Sequence, residues 1–78
     1  MKLINKETLS EINAAINELP DRCRLIFKLI KEDGLKYAEV AQLLEISIKT
    51  VENQMSIAVK KLAVVINRMI AEYKTSAS

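Results

Sequence analysis

The chain has 78 residues, a formal net charge of +2, no histidine, one cysteine, one glycine and one proline. This length holds one small domain and excludes barrels and dinucleotide-binding enzymes, which need far longer chains. Without histidine, and with Cys23 alone, the sequence offers no His-based catalytic triad, no Cys/His zinc site and no intrachain disulfide. We therefore expect no enzymatic activity, no metal and no cofactor. The scarcity of turn residues favours helices.

Charge and hydropathy give a first indication of location and partners. The excess positive charge lies after residue 33, which is a mild bias compatible with nucleic-acid binding. The N-terminus lacks a signal-peptide core, and the longest apolar run, residues 62–66, is far shorter than a membrane span. A single cysteine suits a reducing compartment. We expect a cytoplasmic location and no membrane association.

Two helices are predicted in the first part of the chain. Thr8 and Glu11 have capping-box spacing, which places the start of the first helix near Thr8. Its apolar stripe consists of Leu9, Ile12, Ile16 and Leu19. Pro20 ends this helix and suits the first position of the second, and Gly34 is predicted to cap the second in a left-handed conformation. The buried stripe of the second helix consists of Cys23, Ile26, Phe27 and Ile30.

A helix-turn-helix is predicted in the remainder. A short third helix runs from Tyr37 to about Leu44, and Ser47 caps a fourth helix that extends to about Tyr73. The apolar stripe of the fourth helix consists of Ile48, Val51, Met55, Ala58, Leu62, Val65 and Met69. Small Ala41 permits close approach of the two helices, and the outer face of the fourth is then free for a major groove. We expect Ile46 to fill the corner, with Val51 and Met55 as anchors.

A second apolar stripe lies on the C-terminal half of the fourth helix. Its residues are Val59, Ala63, Ile66 and Ile70. Because one helix cannot bury two stripes against a small core, we expect this stripe to serve self-association or docking.

Three segments, in this order, carry a resemblance to a known family. Residues 19–27 read LPDRCRLIF, residues 34–41 read GLKYAEVA, and residues 46–55 read ISIKTVENQM. Together they resemble region 4 of sigma-70-type factors, over roughly residues 8–66, and are closest to the extracytoplasmic-function (ECF) group. The resemblance implies an all-α fold. The expected domain is small, has four helices and carries a C-terminal helix-turn-helix. It consists of a winged-helix-like, sigma region 4 three-helical core plus an N-terminal helix.

The expected domain organisation follows from these bounds. Residues 1–7 form a linker or frayed end, residues 8–73 form the domain, and residues 74–78 form a disordered tail. The resemblance further implies that the domain reads the minus-35 element of double-stranded promoter DNA. It also implies docking on the β-subunit flap of core RNA polymerase, and it makes an anti-sigma factor a candidate partner.

The resemblance also assigns candidate contact residues. Those facing bases or nearby backbone are Glu52, Asn53, Gln54, Ser56 and Ile57. The candidates for phosphate contacts are Lys36, Lys49 and Thr50. Further candidates for phosphate contacts are Lys60 and Arg24. Independently, the amides of Asn53 and Gln54 can pair bidentately with adenine, and Glu52 can accept a hydrogen bond from cytosine N4. Lys49 lies in the first helical turn, where amide groups also meet phosphate.

Several alternatives stay open at this stage. Glu52 can instead orient Lys49 or repel phosphate, Lys60 can be merely a solvated side chain, and Arg24 can pair with Asp21. Glu45 occupies a turn position commonly held by glycine, so the turn is either strained or avoids the left-handed conformation.

Two departures from the family also bear on function. Family members often carry arginine or lysine where this chain has Ile57, and residues 47–62 contain no arginine. A protein-interaction module without DNA readout is therefore a rival function. A LuxR-type effector domain is another rival, although the run at residues 19–27 favours the sigma family.

Overall fold

The computed structural model describes the backbone of residues 6–77 and the side chains of residues 6–72. The described chain consists of four helices and contains no strand, which confirms the all-α prediction. The helices are α1 (Lys6–Asn17), α2 (Asp21–Lys31), α3 (Tyr37–Leu44) and α4 (Ile48–Ala77). The long α4 is the central helix of the domain, because α1, α2 and α3 each pack against it. The result is an elongated molecule of 49 × 19 × 19 Å.

Helix α1 begins earlier than the capping-box spacing predicted. Residues 6 and 7 are already helical, so the helix begins before the predicted start near Thr8. The Glu11 carboxylate accepts a hydrogen bond from the Arg68 guanidinium of α4 at 3.4 Å. Leu9 belongs to the predicted apolar stripe of α1 but is 51% exposed. The reason is that α1 packs chiefly on one partner, α4, so side chains at the edge of its stripe stay in solvent.

The turns on either side of α2 match their local sequence signals with small shifts. Pro20 is the N-cap residue, with φ −53° and ψ 148°, rather than the first helical residue. Gly34 takes the predicted left-handed conformation at φ 74°, although it lies three residues after the helix ends at Lys31. The Leu35 amide donates to the Leu29 carbonyl at 3.0 Å, which folds the chain back toward α3.

Two apolar clusters form one continuous core, because Phe27 packs against both. The first joins α1, α2 and the middle of α4 through Ile16, Leu19, Cys23, Ala58 and Leu62. The second joins α2, α3 and the start of α4 through Ile26, Val40, Ala41, Val51 and Met55. Ile48 belongs to the predicted apolar stripe of α4 but is 48% exposed, because it stands at the first position of the helix.

Helix α4 continues past the expected end near Tyr73 and reaches Ala77. Residues 74–77, which were expected in a disordered tail, are therefore helical in the structure, while residues 1–5 of the expected linker and Ser78 lie outside the described residues. The physical reason is that the sequence after Gly34 contains no glycine or proline that would end a helix. Over the described residues, none of the helices combines the length and the apolarity that crossing a bilayer requires.

Candidate nucleic-acid interface

The turn between α3 and α4 adopts the left-handed conformation at a residue other than glycine. Glu45 has φ 56° and ψ 45°, so the strained alternative is the one observed. Its amide donates to the Gln42 carbonyl at 3.3 Å, and the Ile46 amide donates to the Ala41 carbonyl at 3.0 Å. These bonds satisfy the last carbonyls of α3 and turn the chain sharply into α4.

Ser47 caps α4 as predicted. Its Oγ accepts a hydrogen bond from the Thr50 amide at 3.0 Å and lies 2.9 Å from Thr50 Oγ1. The cap orients the first turn of α4, whose remaining amides have no partner inside the helix and favour an anion such as phosphate. Thr50, a candidate phosphate contact, is half-buried with its hydroxyl engaged by the cap.

The inner side of the helix-turn-helix is firmly anchored. Val51 is 0% exposed and Met55 3%, and both pack in one cluster with Ala41 and Val40. Ile46 packs against the same cluster, so it fills the corner between the two helices as predicted. This packing fixes which side of α4 turns to the solvent.

The exposed side of α4 carries most of the predicted base-contacting residues. Glu52, Asn53, Ser56 and Ile57 are exposed, whereas Gln54 is half-buried. Successive residues turn by about 100° around a helix, so Gln54 lies toward the side of α4 that holds Met55. The Gln54 carbonyl accepts a hydrogen bond from the Cys23 thiol at 3.3 Å, which shows that α2 packs beside this position. The side chains brought together on the outer face are Lys49, Asn53, Ser56, Ile57 and Lys60.

The predicted phosphate contacts have different surroundings. The Lys49 side chain is 79% exposed, and its Nζ lies 3.9 Å from Glu52 Oε1, so the alternative in which Glu52 orients this lysine has a geometric basis. Lys60 is exposed on the outer face of α4. Lys36 is exposed at the N-cap of α3, where its amide donates to Glu39 Oε1 at 2.8 Å.

Arg24 occupies a structural position. Its guanidinium donates to the Asn17 carbonyl at 2.9 Å and to the Asp21 carboxylate at 3.0 Å. These bonds join the end of α1 to the beginning of α2. The pairing with Asp21 that the sequence left open is therefore present.

The charge of the helix-turn-helix is balanced. Residues 36–60 contain three lysines and three glutamates, and no arginine. The Lys49–Glu52 ion pair is exposed, and its Nζ–Oε1 distance is 3.9 Å. Exposed ion pairs contribute at most about 1 kcal/mol to stability. Electrostatic attraction to phosphate therefore rests on few lysines and on the amides at the start of α4.

Cys23 is a core residue. It is 1% exposed in the cluster between α1, α2 and α4. Burial raises the pKa of its thiol, while the charge of Lys61 and a hydrogen bond with the Ala58 backbone act in the opposite direction. The thiol is thus held in its neutral form. Among the described residues, no group of three or more His, Cys, Asp or Glu side chains is placed to hold a metal ion.

One surface feature was not anticipated from the sequence. A shallow open depression on the outer side of α3 is lined by Glu39, Gln42 and Leu43. Leu43 is 61% exposed, whereas its neighbour Leu44 packs on the core. The available signal was the helical spacing: Leu44 follows both of the buried residues Val40 and Ala41 at three or four positions, whereas Leu43 has this spacing only from Val40.

Comparison with known proteins agrees with this geometry. A family model described as Sigma-70, region 4 matches residues 9–62, which extend from α1 through the outer face of α4. Searches of curated proteins and of solved structures gave no match. The match covers more than half of the chain and includes the complete helix-turn-helix. The chain therefore belongs to the sigma-70 family, as a region 4 domain, the DNA-binding region of a sigma factor.

Proposed function

We propose that this domain is the promoter-reading region 4 of an ECF-type sigma factor. In this proposal α4 reads the minus-35 element of double-stranded promoter DNA, and the domain docks on the β-subunit flap of core RNA polymerase. The observation that carries the proposal is the division of α4 into an anchored side and an exposed side bearing Lys49, Asn53 and Lys60. The ECF assignment rests on the three sequence motifs. A role in transcription implies a cytoplasmic binding domain rather than an enzyme.

The dimensions of α4 suit this role. A helix with its side chains is about 10–12 Å across, and the major groove is about 12 Å wide. Lys49 and Lys60 are separated by roughly 16 Å along the helix axis, so they reach different stretches of the phosphate backbone. Asn53, between them, offers the amide that can pair bidentately with adenine. Lys36, at the N-cap of α3, supplies a further phosphate contact.

A second candidate function is a protein-interaction module that does not read DNA. The observation in its favour is the balanced charge of residues 36–60 together with the Lys49–Glu52 pair, which weakens attraction to phosphate. Its partners would be core polymerase or an anti-sigma factor.

The experiment that tests DNA readout is a selection from a random duplex library followed by fluorescence anisotropy on the selected duplex. We expect Asn53→Ala to weaken binding by about five- to 150-fold, because a good bidentate contact contributes about 1–3 kcal/mol. Asn67→Ala is the matched control, since Asn67 is also exposed on α4 but lies beyond the helix-turn-helix. Failure to select any duplex, even at low salt, would contradict the proposal.

Polymerase docking has a separate test. A titration of the isolated β-flap domain with the chain should give saturable binding. Flap binding by a chain that selects no DNA would support the protein-interaction function, whereas DNA selection without flap binding would remove only the docking part of the proposal.

We also propose self-association through the second apolar stripe of α4. Val59 is 53% exposed and Ile66 38%, whereas Ala63 and Ile70 are half-buried, so the described chain covers this stripe only in part. Sedimentation equilibrium should show concentration-dependent dimers that Ile66→Asp abolishes. Val64→Asp should leave them intact, because Val64 is exposed outside the stripe. A monomer at every concentration would refute this.

A further inference from the structure

Ile57 is an apolar side chain in the middle of a polar surface. It is 41% exposed and belongs to neither of the two core clusters. Asn53 lies one turn before it on the same side of α4, and Lys60 lies one turn after it. Packing inside the described chain therefore does not account for an isoleucine at this position.

The major groove presents one apolar group to a protein, the C5-methyl of thymine. Apart from small ring C–H groups such as cytosine C5–H, the other base-edge groups there are hydrogen-bond donors or acceptors. An isoleucine placed against such an edge would remove water from it and offer no hydrogen bond in return, which is unfavourable. Against a thymine methyl, the same side chain buries apolar surface on both partners.

We propose that Ile57 is a specificity-determining residue that selects thymine through its methyl group. This inference rests on the proposed DNA readout by α4. The position of the thymine follows from the helix geometry. Asn53 and Ile57 are about 6 Å apart along the helix axis, which corresponds to one or two base-pair steps of about 3.4 Å. The preferred DNA site should therefore contain a thymine one or two base pairs from the adenine that Asn53 contacts.

An uncharged side chain at this position affects DNA binding differently from a basic one. A lysine or arginine adds attraction to every phosphate and so strengthens binding to all sequences. Ile57 adds nothing to non-specific binding, because it carries no charge. The structure thus assigns to this position sequence discrimination rather than general affinity.

The test uses the duplex selected from a random library and replaces each thymine in turn by deoxyuridine. This change deletes the methyl group and keeps the hydrogen-bonding pattern of the base. We expect one replacement to weaken binding about fourfold, the value of one buried methyl-sized group. In Ile57→Ala the same replacement should have no effect. The Ala variant should remain folded, since alanine is the best helix former and the site is exposed.

Two further variants complete the design. Ile57→Val keeps a branched apolar side chain and should retain most of the thymine preference. Val64→Ala, seven residues further along the same side of α4, should retain all of it.

The outcomes separate this inference from the proposed function. Equal binding of the wild type to thymine and deoxyuridine duplexes at every position would overturn the role of Ile57 and leave DNA readout intact. A deoxyuridine effect that persists in Ile57→Ala would also overturn it, because another residue would then contact the methyl. Selection of no duplex would overturn the proposed function and, with it, this inference.

Discussion

Within the part of the chain that the structure describes, two residues hold the left-handed backbone conformation, and we expect substitutions at them to have opposite effects on stability. Glu45, at φ 56°, follows α3, and Gly34, at φ 74°, lies between α2 and α3. We predict that Glu45→Gly stabilises the fold and that Gly34→Ala destabilises it. The left-handed conformation is unfavourable for alanine or glutamate because of the Cβ atom, and it is readily accessible to glycine.

The magnitude follows from two opposing contributions. Left-handed backbone costs a residue with a Cβ about 1–2 kcal/mol. A glycine gives the unfolded chain more freedom, which costs about 0.5–1 kcal/mol on folding. The net change in the free energy of unfolding is therefore about 0.5–1 kcal/mol, positive for Glu45→Gly and negative for Gly34→Ala. A Cβ added at Gly34 meets no atom within 4 Å, so no steric clash adds to the backbone cost.

The assay is thermal unfolding followed by circular dichroism. A change of 1 kcal/mol shifts the midpoint by about 4–8 °C in a domain of this size. Glu45→Ala is the matched control, because it removes the charge and keeps the strained backbone, and it should stay near the wild type. A midpoint temperature for Glu45→Gly that equals or falls below that of Glu45→Ala would contradict this prediction.

The remaining predictions concern charge, capping and the buried thiol. Glu52→Gln should strengthen duplex binding by roughly two- to fivefold in anisotropy titrations, because it removes repulsion from phosphate and frees the lysine that it pairs with; Glu72→Gln, on the distal part of α4, should have no effect. Ser47→Ala should lower the free energy of unfolding by about 1 kcal/mol in urea titrations through loss of the N-cap bond, whereas the exposed, mid-helix Ser56→Ala should not. Cys23 should react with iodoacetamide far more slowly in the folded than in the urea-unfolded protein; equal rates would contradict its burial. Because burial raises the pKa of this thiol, its contribution to stability is complete below the ordinary thiol pKa of about 8.5 and should decline as the pH rises above it. Cys23→Ala should remove that part of the decline.

Local sequence signals were sufficient where a single residue determines the geometry. The bounds of α3, the N-cap at Ser47 and the left-handed Gly34 could all be predicted. The packing of the corner was also predictable, because a close approach of two helices needs a small residue such as Ala41 and an apolar one such as Ile46 to fill the turn. These features depend on neighbours within a few residues, and the sequence displays those directly.

Features that depend on the partner of a helix could not be predicted in the same way. The apolar repeat identifies one side of a helix but does not say how far another helix covers it. Leu9 and Ile48 fit their stripes and are nevertheless half exposed, because Leu9 lies at the edge of its stripe and Ile48 at the first position of α4. Gln54 was assigned to the outer face by resemblance, yet the approach of α2 leaves it half-buried. Both backbone alternatives at Glu45 are compatible with its sequence, and the structure shows the left-handed one.

The most direct test of the central claim, that the outer face of α4 binds DNA, is an NMR titration of the isotope-labelled domain. Short random duplexes should be added at two salt concentrations. We predict shifts at Lys49, Asn53 and Ile57, with the α1 resonances unchanged, and a salt dependence of slope about −3 for three phosphate contacts. An unshifted outer face at low salt and high DNA concentration, or shifts confined to residues 63–70, would contradict it.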